Sequence, residues 1–163
     1  MLLVHILCSS LLPVRAITAS SFNPADGATG VAVDANLVLT LDEAWEDGAT
    51  NYIYIKDSNG TTFASYDMTG SPSQITGATT TTLTINPSSS LAYSTNYYVL
   101  IDDDIIYDSG WSNTYSIPAT TTWNFKTVGN LDTTAPVRIS FDPVDNGTCV
   151  FLNNDLVITF DEN

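Results

Sequence analysis

Residues 21–43 (SFNPADGATGVAVDANLVLTLDE) and residues 140–162 (SFDPVDNGTCVFLNNDLVITFDE) align without a gap at a constant offset of 140 − 21 = 119 positions. Ser21, Phe22, Pro24, Asp26, Thr29 and Val31 recur as Ser140, Phe141, Pro143, Asp145, Thr148 and Val150. Leu37, Val38, Thr40, Asp42 and Glu43 recur as Leu156, Val157, Thr159, Asp161 and Glu162. A period above ~100 residues is too long for a solenoid unit and matches a whole domain. The chain is therefore expected to hold one complete module and the opening quarter of a second. A span of about 115 residues can bury its own core, whereas the final stretch of roughly 28 cannot supply one. The polar, proline-ended segment VGNLDTTAP (128–136) falls between the copies and reads as a junction. The expected organisation is a leader over 1–16, a sandwich domain over 17–128, a linker over 129–135 and the truncated start of a second repeat over 136–163.

Within the complete module the apolar residues alternate. Residues 36–42 (NLVLTLD) place Leu37, Leu39 and Leu41 on one face and Val38 and Thr40 on the other. Residues 52–56 (YIYIK) and 61–67 (TTFASYD) flank Asp57-Ser58-Asn59-Gly60, whose Asn-Gly pair signals a hairpin. Residues 80–85 (TTTLTI), 95–102 (TNYYVLID) and 121–127 (TTWNFKT) continue the pattern, with Leu83, Ile85, Tyr97, Val99, Ile101, Trp123 and Phe125 turned inward. No window sustains a helical period. Short strands with turns at intervals of roughly ten residues predict an all-β fold, an antiparallel two-sheet sandwich.

The residues also carry a resemblance. Leu91-x-x-x-Thr95-x-Tyr97 is similar to the tyrosine corner of Ig-like and fibronectin-like sandwiches, where a Tyr hydroxyl returns to backbone just upstream. The succession PADGATGV (24–31), NLVLTLDE (36–43), TLTINP (82–87), LAYSTNYYV (91–99), YDSG (107–110) and WNFKT (123–127) resembles the bacterial Ig-like domain of the SbsA S-layer type. DTTAP (132–136) is similar to the junction between such domains. The resemblance covers about 105 residues, recurs in the second copy, and implies an Ig-like sandwich in a tandem array. The chain departs from the family pattern at Ser94, where Gly is usual, and at Trp111, where Asn usually follows the turn glycine.

Eighteen acidic residues stand against four basic ones, for a formal charge of −14. That balance repels nucleic acid and anionic membranes, both of which call for clustered Lys and Arg. The opening MLLVHILCSSLLPVRA reads as a signal peptide with a small-residue site at Val14-Arg15-Ala16, or as the run-up to the first strand, since Pro13-Val14-Arg15 recurs as Pro136-Val137-Arg138. Its apolar run is too short to span a bilayer, and no later segment is long or apolar enough. Cys8 and Cys149 make no disulfide framework. The expected location is extracellular or at the cell surface.

His5 is the sole histidine, which removes Ser-His-Asp and Cys-His machinery and histidine zinc sites from a mature chain. No Gly-rich phosphate loop or Walker lysine occurs. Glu43, Glu46 and Asp47 cluster after a strand but read as a solvated acidic loop, because a glycosidase dyad needs a cleft between its carboxyls. No enzyme is expected. Asp102, Asp103, Asp104 and Asp108 are the candidate calcium ligands, since calcium takes six to eight oxygens; they lack the EF-hand register. Asp132 could join loop acids of a neighbouring module in a second cation site. Trp45, Trp111 and Tyr115 fall in predicted loops and are the candidate binding residues, able to stack on a sugar face or fill a protein pocket. Asn59-Gly60-Thr61 and Asn146-Gly147-Thr148 match the glycosylation acceptor pattern, which turn geometry also explains. Three functions fit: a structural spacer flanked by Ig-like repeats, a glycan- or protein-binding adhesin module, and an accessory domain of a secreted hydrolase.

Overall fold

The computed structural model describes residues 16–130 and 133–162. The leader reading, His5, Cys8 and Asp132 lie outside the described residues. The chain divides into two units, Met1–Asn130 and Leu131–Asn163.

Unit one is all-β, with a single 3-10 turn at Met68–Gly70 among its described residues. Its first sheet has the order β1 (Ala19–Asn23), β3 (Leu37–Leu41), β8 (Thr82–Ile85), β7 (Ile75–Thr76). Its second runs β2 (Ala28–Val31), β11 (Asn124–Thr127), β9 (Asn96–Asp108), β5 (Tyr52–Asp57), β6 (Thr62–Asp67), with β4 (Trp45–Asp47) and β10 (Thr114–Ile117) also pairing with β9. The chain enters in the first sheet and crosses to the second between β1 and β2. The two sheets enclose one hydrophobic core, as in a sandwich.

Alternation explains which face each strand buries. Leu37, Leu39 and Leu41 are buried while Val38 and Thr40 are half-buried, and β8 repeats the pattern opposite them, Leu83 across from Leu39 and Ile85 across from Leu37. On β9, Tyr97, Val99 and Ile101 point inward and Tyr98, Leu100 and Asp102 outward. The Asp57 carboxylate caps the β5–β6 turn by accepting from Asn59 N and Thr61 N, both 2.9 Å, with Gly60 left-handed at φ 85. The Tyr97 hydroxyl accepts from Ala92 N at 3.0 Å, so the tyrosine corner is formed.

Strand β9 is longer than its sequence predicts. Past Asp102 the alternation breaks, with Asp104 left-handed at φ 63 and Ile105 and Ile106 both fully buried. A bulge of this kind takes up one residue and bends the strand, resetting which side chains face inward. The extension supplies the partner for β4 and β10. Gly48 fits here because a Cβ at this position would run into the Asp104 carbonyl.

Two tyrosines predict opposite responses to loss of a hydroxyl. Tyr97→Phe leaves the Ala92 amide without its acceptor and is expected to destabilise unit one by about 1–3 kcal/mol. The buried Tyr66 hydroxyl has no hydrogen-bond partner among the described residues, and burial raises its pKa above the usual value. Tyr66→Phe is therefore expected to be neutral or stabilising. Chemical denaturation of both variants checks the sign of each.

Unit two contains a hairpin of β12 (Arg138–Asp142) and β13 (Val157–Phe160). Its pairs are Arg138–Phe160, Ser140–Thr159, Phe141–Ile158 and Asp142–Val157. Moved back by the sequence offset, these are the pairs of β1 with β3: Ala19–Leu41, Ser21–Thr40, Phe22–Leu39 and Asn23–Val38. The register shift falls at the same place in both hairpins.

Candidate functional site

The β9–β10 hairpin is organised by Asp108. Its Oδ1 accepts from Ser112 N at 2.8 Å and its Oδ2 from Asn113 Nδ2 at 2.6 Å. Its own amide donates to Asn113 O, and its carbonyl accepts from Trp111 N, both at 3.0 Å. The side chain is 7 % exposed. The Ser112 amide, then the Asn113 side chain, hold its carboxyl below the usual carboxylate range. A depressed folded pKa contributes stability that is present above the unfolded value of 3.8 and lost as pH falls through the folded one. Asp108→Asn is expected to lower the melting temperature at neutral pH, and the gap to the parent should close on acidification below that value. A gap of constant size from pH 7 to pH 2 would show that the carboxylate is not the source.

This turn displays Trp111, 56 % exposed and left-handed at φ 54. A bulky residue in that region is strained, whereas Asn visits it readily. The indole lies 5.1 Å from the Tyr107 ring, tilted by 33°. Tyr107 OH donates to Asp104 Oδ1 at 3.0 Å, a bond that raises the phenol pKa.

The candidate calcium ligands are spread over separate hydrogen bonds. Asp102 Oδ2 accepts from Tyr52 N at 3.3 Å, Asp104 serves Tyr107, and Asp108 serves Ser112 and Asn113. The Asp103 carbonyl accepts from Asn51 Nδ2 at 2.8 Å. Among the described residues no three carboxylate, histidine or cysteine side chains are grouped so as to hold a metal ion. Melting in millimolar calcium against chelator tests whether these acids recruit one, since binding to the folded state raises the midpoint.

The aromatic candidates part company. Trp45 is a core residue, 1 % exposed in β4, with Nε1 donating to Thr82 O at 3.0 Å. The predicted loop placement is corrected because β4 pairs with the unforeseen extension of β9. Tyr115 is half-buried against the core in β10 rather than displayed in a loop. Trp111 alone of the three presents its ring to solvent. The sequence reading passed over other exposed groups. On the outer face of the second sheet, Tyr52 and Tyr54 stack at 5.7 Å, and Lys56 Nζ lies 4.9 Å over the Tyr54 ring. A shallow cleft of about 490 Å³ is lined by Asn59, Asn96, Asn124, Thr120 and Tyr98. The period-two pattern of β5 already placed Tyr52 and Tyr54 outward; nothing local assembled the three asparagines, which come from different strands and turns.

A sandwich of this topology, closed by a tyrosine corner and buried tryptophans, defines an Ig-like module. A family model described as "Bacterial Ig-like domain" matches residues 13–127, and the chain belongs to that family. Among solved structures it is similar to CopC from Methylosinus trichosporium OB3b, at a TM-score of 0.50 and 14 % identity, over 72 % of this chain and 99 % of that one. At that identity the likeness is one of fold. No curated protein matches the chain.

Proposed function

We propose that the chain is a non-catalytic structural module, an Ig-like spacer of the SbsA S-layer type in a secreted or cell-surface protein built from tandem repeats. The observation that carries this reading is the recurrence of one hairpin in one register at the sequence offset of the repeat. Domains of this family are generally non-catalytic, and such folds usually occur in cell-surface or periplasmic proteins. The high acidic charge suits a soluble exterior surface and disfavours anionic partners. Neighbouring Ig-like modules are its partners.

A second reading is favoured by one observation, the exposed and strained Trp111 lying tilted against Tyr107. It makes the β9–β10 tip an adhesin contact for a glycan face or a protein pocket. Glycan-array and cell-binding screens of the whole chain separate the two. The spacer reading expects no saturable binding. Saturable binding that disappears in Trp111→Ala would replace the spacer with the adhesin.

A further inference from the structure

The cleft that gathers three asparagines is walled by parts of the chain that meet only in the fold. Asn59 comes from the β5–β6 turn, Asn96 and Tyr98 from the start of β9, and Asn124 from the start of β11. Register brings them together. Tyr98 lies opposite Asn124 on one side and Lys56 on the other. The Ser58 amide donates to Asn96 O at 3.0 Å and ties the turn to β9. Asn96 and Tyr98, two apart on one strand, share its outer face. A Cβ added at Gly60 would lie 3.9 Å from the Tyr98 hydroxyl, so the tyrosine reaches across to the turn.

The walls are fixed by bonds of their own. Besides the two amides that Asp57 caps through its carboxylate, Gly60 N donates to Asp57 O at 2.9 Å. Asp26 Oδ1 accepts from Asn124 N at 2.9 Å and from Asn124 Nδ2 at 2.7 Å. With that Nδ2 engaged, Asn124 keeps its Oδ1 as an acceptor. The side-chain amides of Asn59 and Asn96 make no hydrogen bond among the described residues.

The chemistry on offer is uncharged. Amides, hydroxyls and a phenol line the cleft, with no carboxylate or ammonium among the described residues there. Lys56, the nearest cation in register, lies over the Tyr54 ring instead. Each asparagine amide pairs a donor with an acceptor, which suits neighbouring sugar hydroxyls that both give and take a bond. A tyrosine ring accepts the C–H face of a sugar. A peptide strand finds no free edge here: β5 lies between β6 and β9, β9 between β5 and β11, and β11 between β9 and the parallel β2.

We propose that this cleft is a binding subsite for a neutral oligosaccharide. Asn96 opens β9 and Asp108, which organises the Trp111 turn, closes it, so the subsite and that turn stand at opposite ends of one strand. The proposal goes beyond the spacer reading, giving the flank of the module a weak contact with hydrated polysaccharide. Enclosed pockets bury most of a ligand's surface, and a shallow cleft does not. The expected Kd is therefore about 1 mM. Complexes of that affinity dissociate within about milliseconds, too fast to survive the washing of an array, so binding is read in solution.

Titration of the nitrogen-15-labelled whole chain, followed by NMR, tests the subsite. The probes are cellotriose, maltotriose and tri-N-acetylchitotriose, with trigalacturonate as the charged control. At least one neutral trisaccharide is expected to give saturable shifts centred on the side-chain amides of Asn59, Asn96 and Asn124. Asn96→Ala and Tyr98→Ala are each expected to weaken it about 5- to 10-fold. The Asn96 side chain is exposed, so its truncation leaves the fold intact, and unchanged backbone spectra check this. Trp111→Ala should leave the affinity as in the parent. Four results would overturn the subsite: no saturable shift with any neutral probe, shifts centred on Trp111, trigalacturonate binding as tightly, or Asn96→Ala within twofold of the parent. None of them touches the spacer reading, which fails instead on binding retained in the array and cell screens.

Discussion

Trp123→Ala is expected to lower the melting temperature by at least about 10 °C, the largest shift of any single substitution discussed here. The indole is fully buried, stacks on Phe22 and donates to the Pro24 carbonyl. Truncating a buried aromatic of this size costs about 3–5 kcal/mol through lost contacts and the cavity left behind. The orphaned Pro24 carbonyl, itself in a buried residue, adds to that cost. Domains of this size hold only about 5–15 kcal/mol in total, so the loss is a large share of what keeps the sheets together. Trp111→Ala is the matched comparison. Its ring is mostly in water, and the expected change stays within about 0.5 kcal/mol. Thermal melts followed by circular dichroism read both. A Trp123→Ala midpoint within a degree or two of the parent would mean that the sandwich does not depend on the ring that joins its entry and exit strands.

Hydrogen exchange is expected to separate the two hairpins of identical register by at least about a thousandfold in protection. Leu37, Leu39 and Leu41 are at most 2 % exposed, whereas their counterparts Leu156, Ile158 and Phe160 are 84 %, 53 % and 48 % exposed. Each such side chain contributes on the order of 2 kcal/mol when it is buried. Ordering the backbone costs about 1–2 kcal/mol per residue, and a lone two-stranded hairpin is marginal in water. The β3 amides should therefore exchange only on global opening, and the β13 amides by local fraying. Limited proteolysis is expected to agree, leaving a resistant product that ends soon after β11. Equal protection of β3 and β13 would contradict this account. Protection of β13 that rises with protein concentration would identify pairing of another chain along its open edge.

The same substitutions show how far the residue pattern reaches. Period-two alternation set the inward residues of β3, β8 and the first half of β9, because those strands have one face on the core and one toward water. The tyrosine corner was legible because its partners lie five residues apart, Ala92 and Tyr97. The second half of β9 was not legible. A left-handed Asp104 and two consecutive buried isoleucines interrupt the alternation, and a run of three aspartates reads locally as a loop. Missing that extension also misplaced Trp45 and Tyr115, whose strands exist because β9 continues far enough to pair with them. The candidate cation ligands lie along the same stretch of β9, and among the described residues no three of them are grouped.

The sequence by itself determined the repeat, the all-β class, the faces of β3, β8 and the first half of β9, and the Ig-like family, because each is written in local spacing or in recurrence at a fixed offset. Only the tertiary structure decided that Trp45 is buried where Trp111 is displayed. Both sit among polar neighbours in sequence, yet Trp45 is 1 % exposed and Trp111 56 %. The difference lies in what the rest of the chain brings to each: Thr82 O for Trp45 and only the tilted ring of Tyr107 for Trp111. The parallel β2–β11 pair is of the same kind. It joins segments roughly a hundred residues apart, and its polarity follows from the crossing between sheets after β1, which no window of residues records.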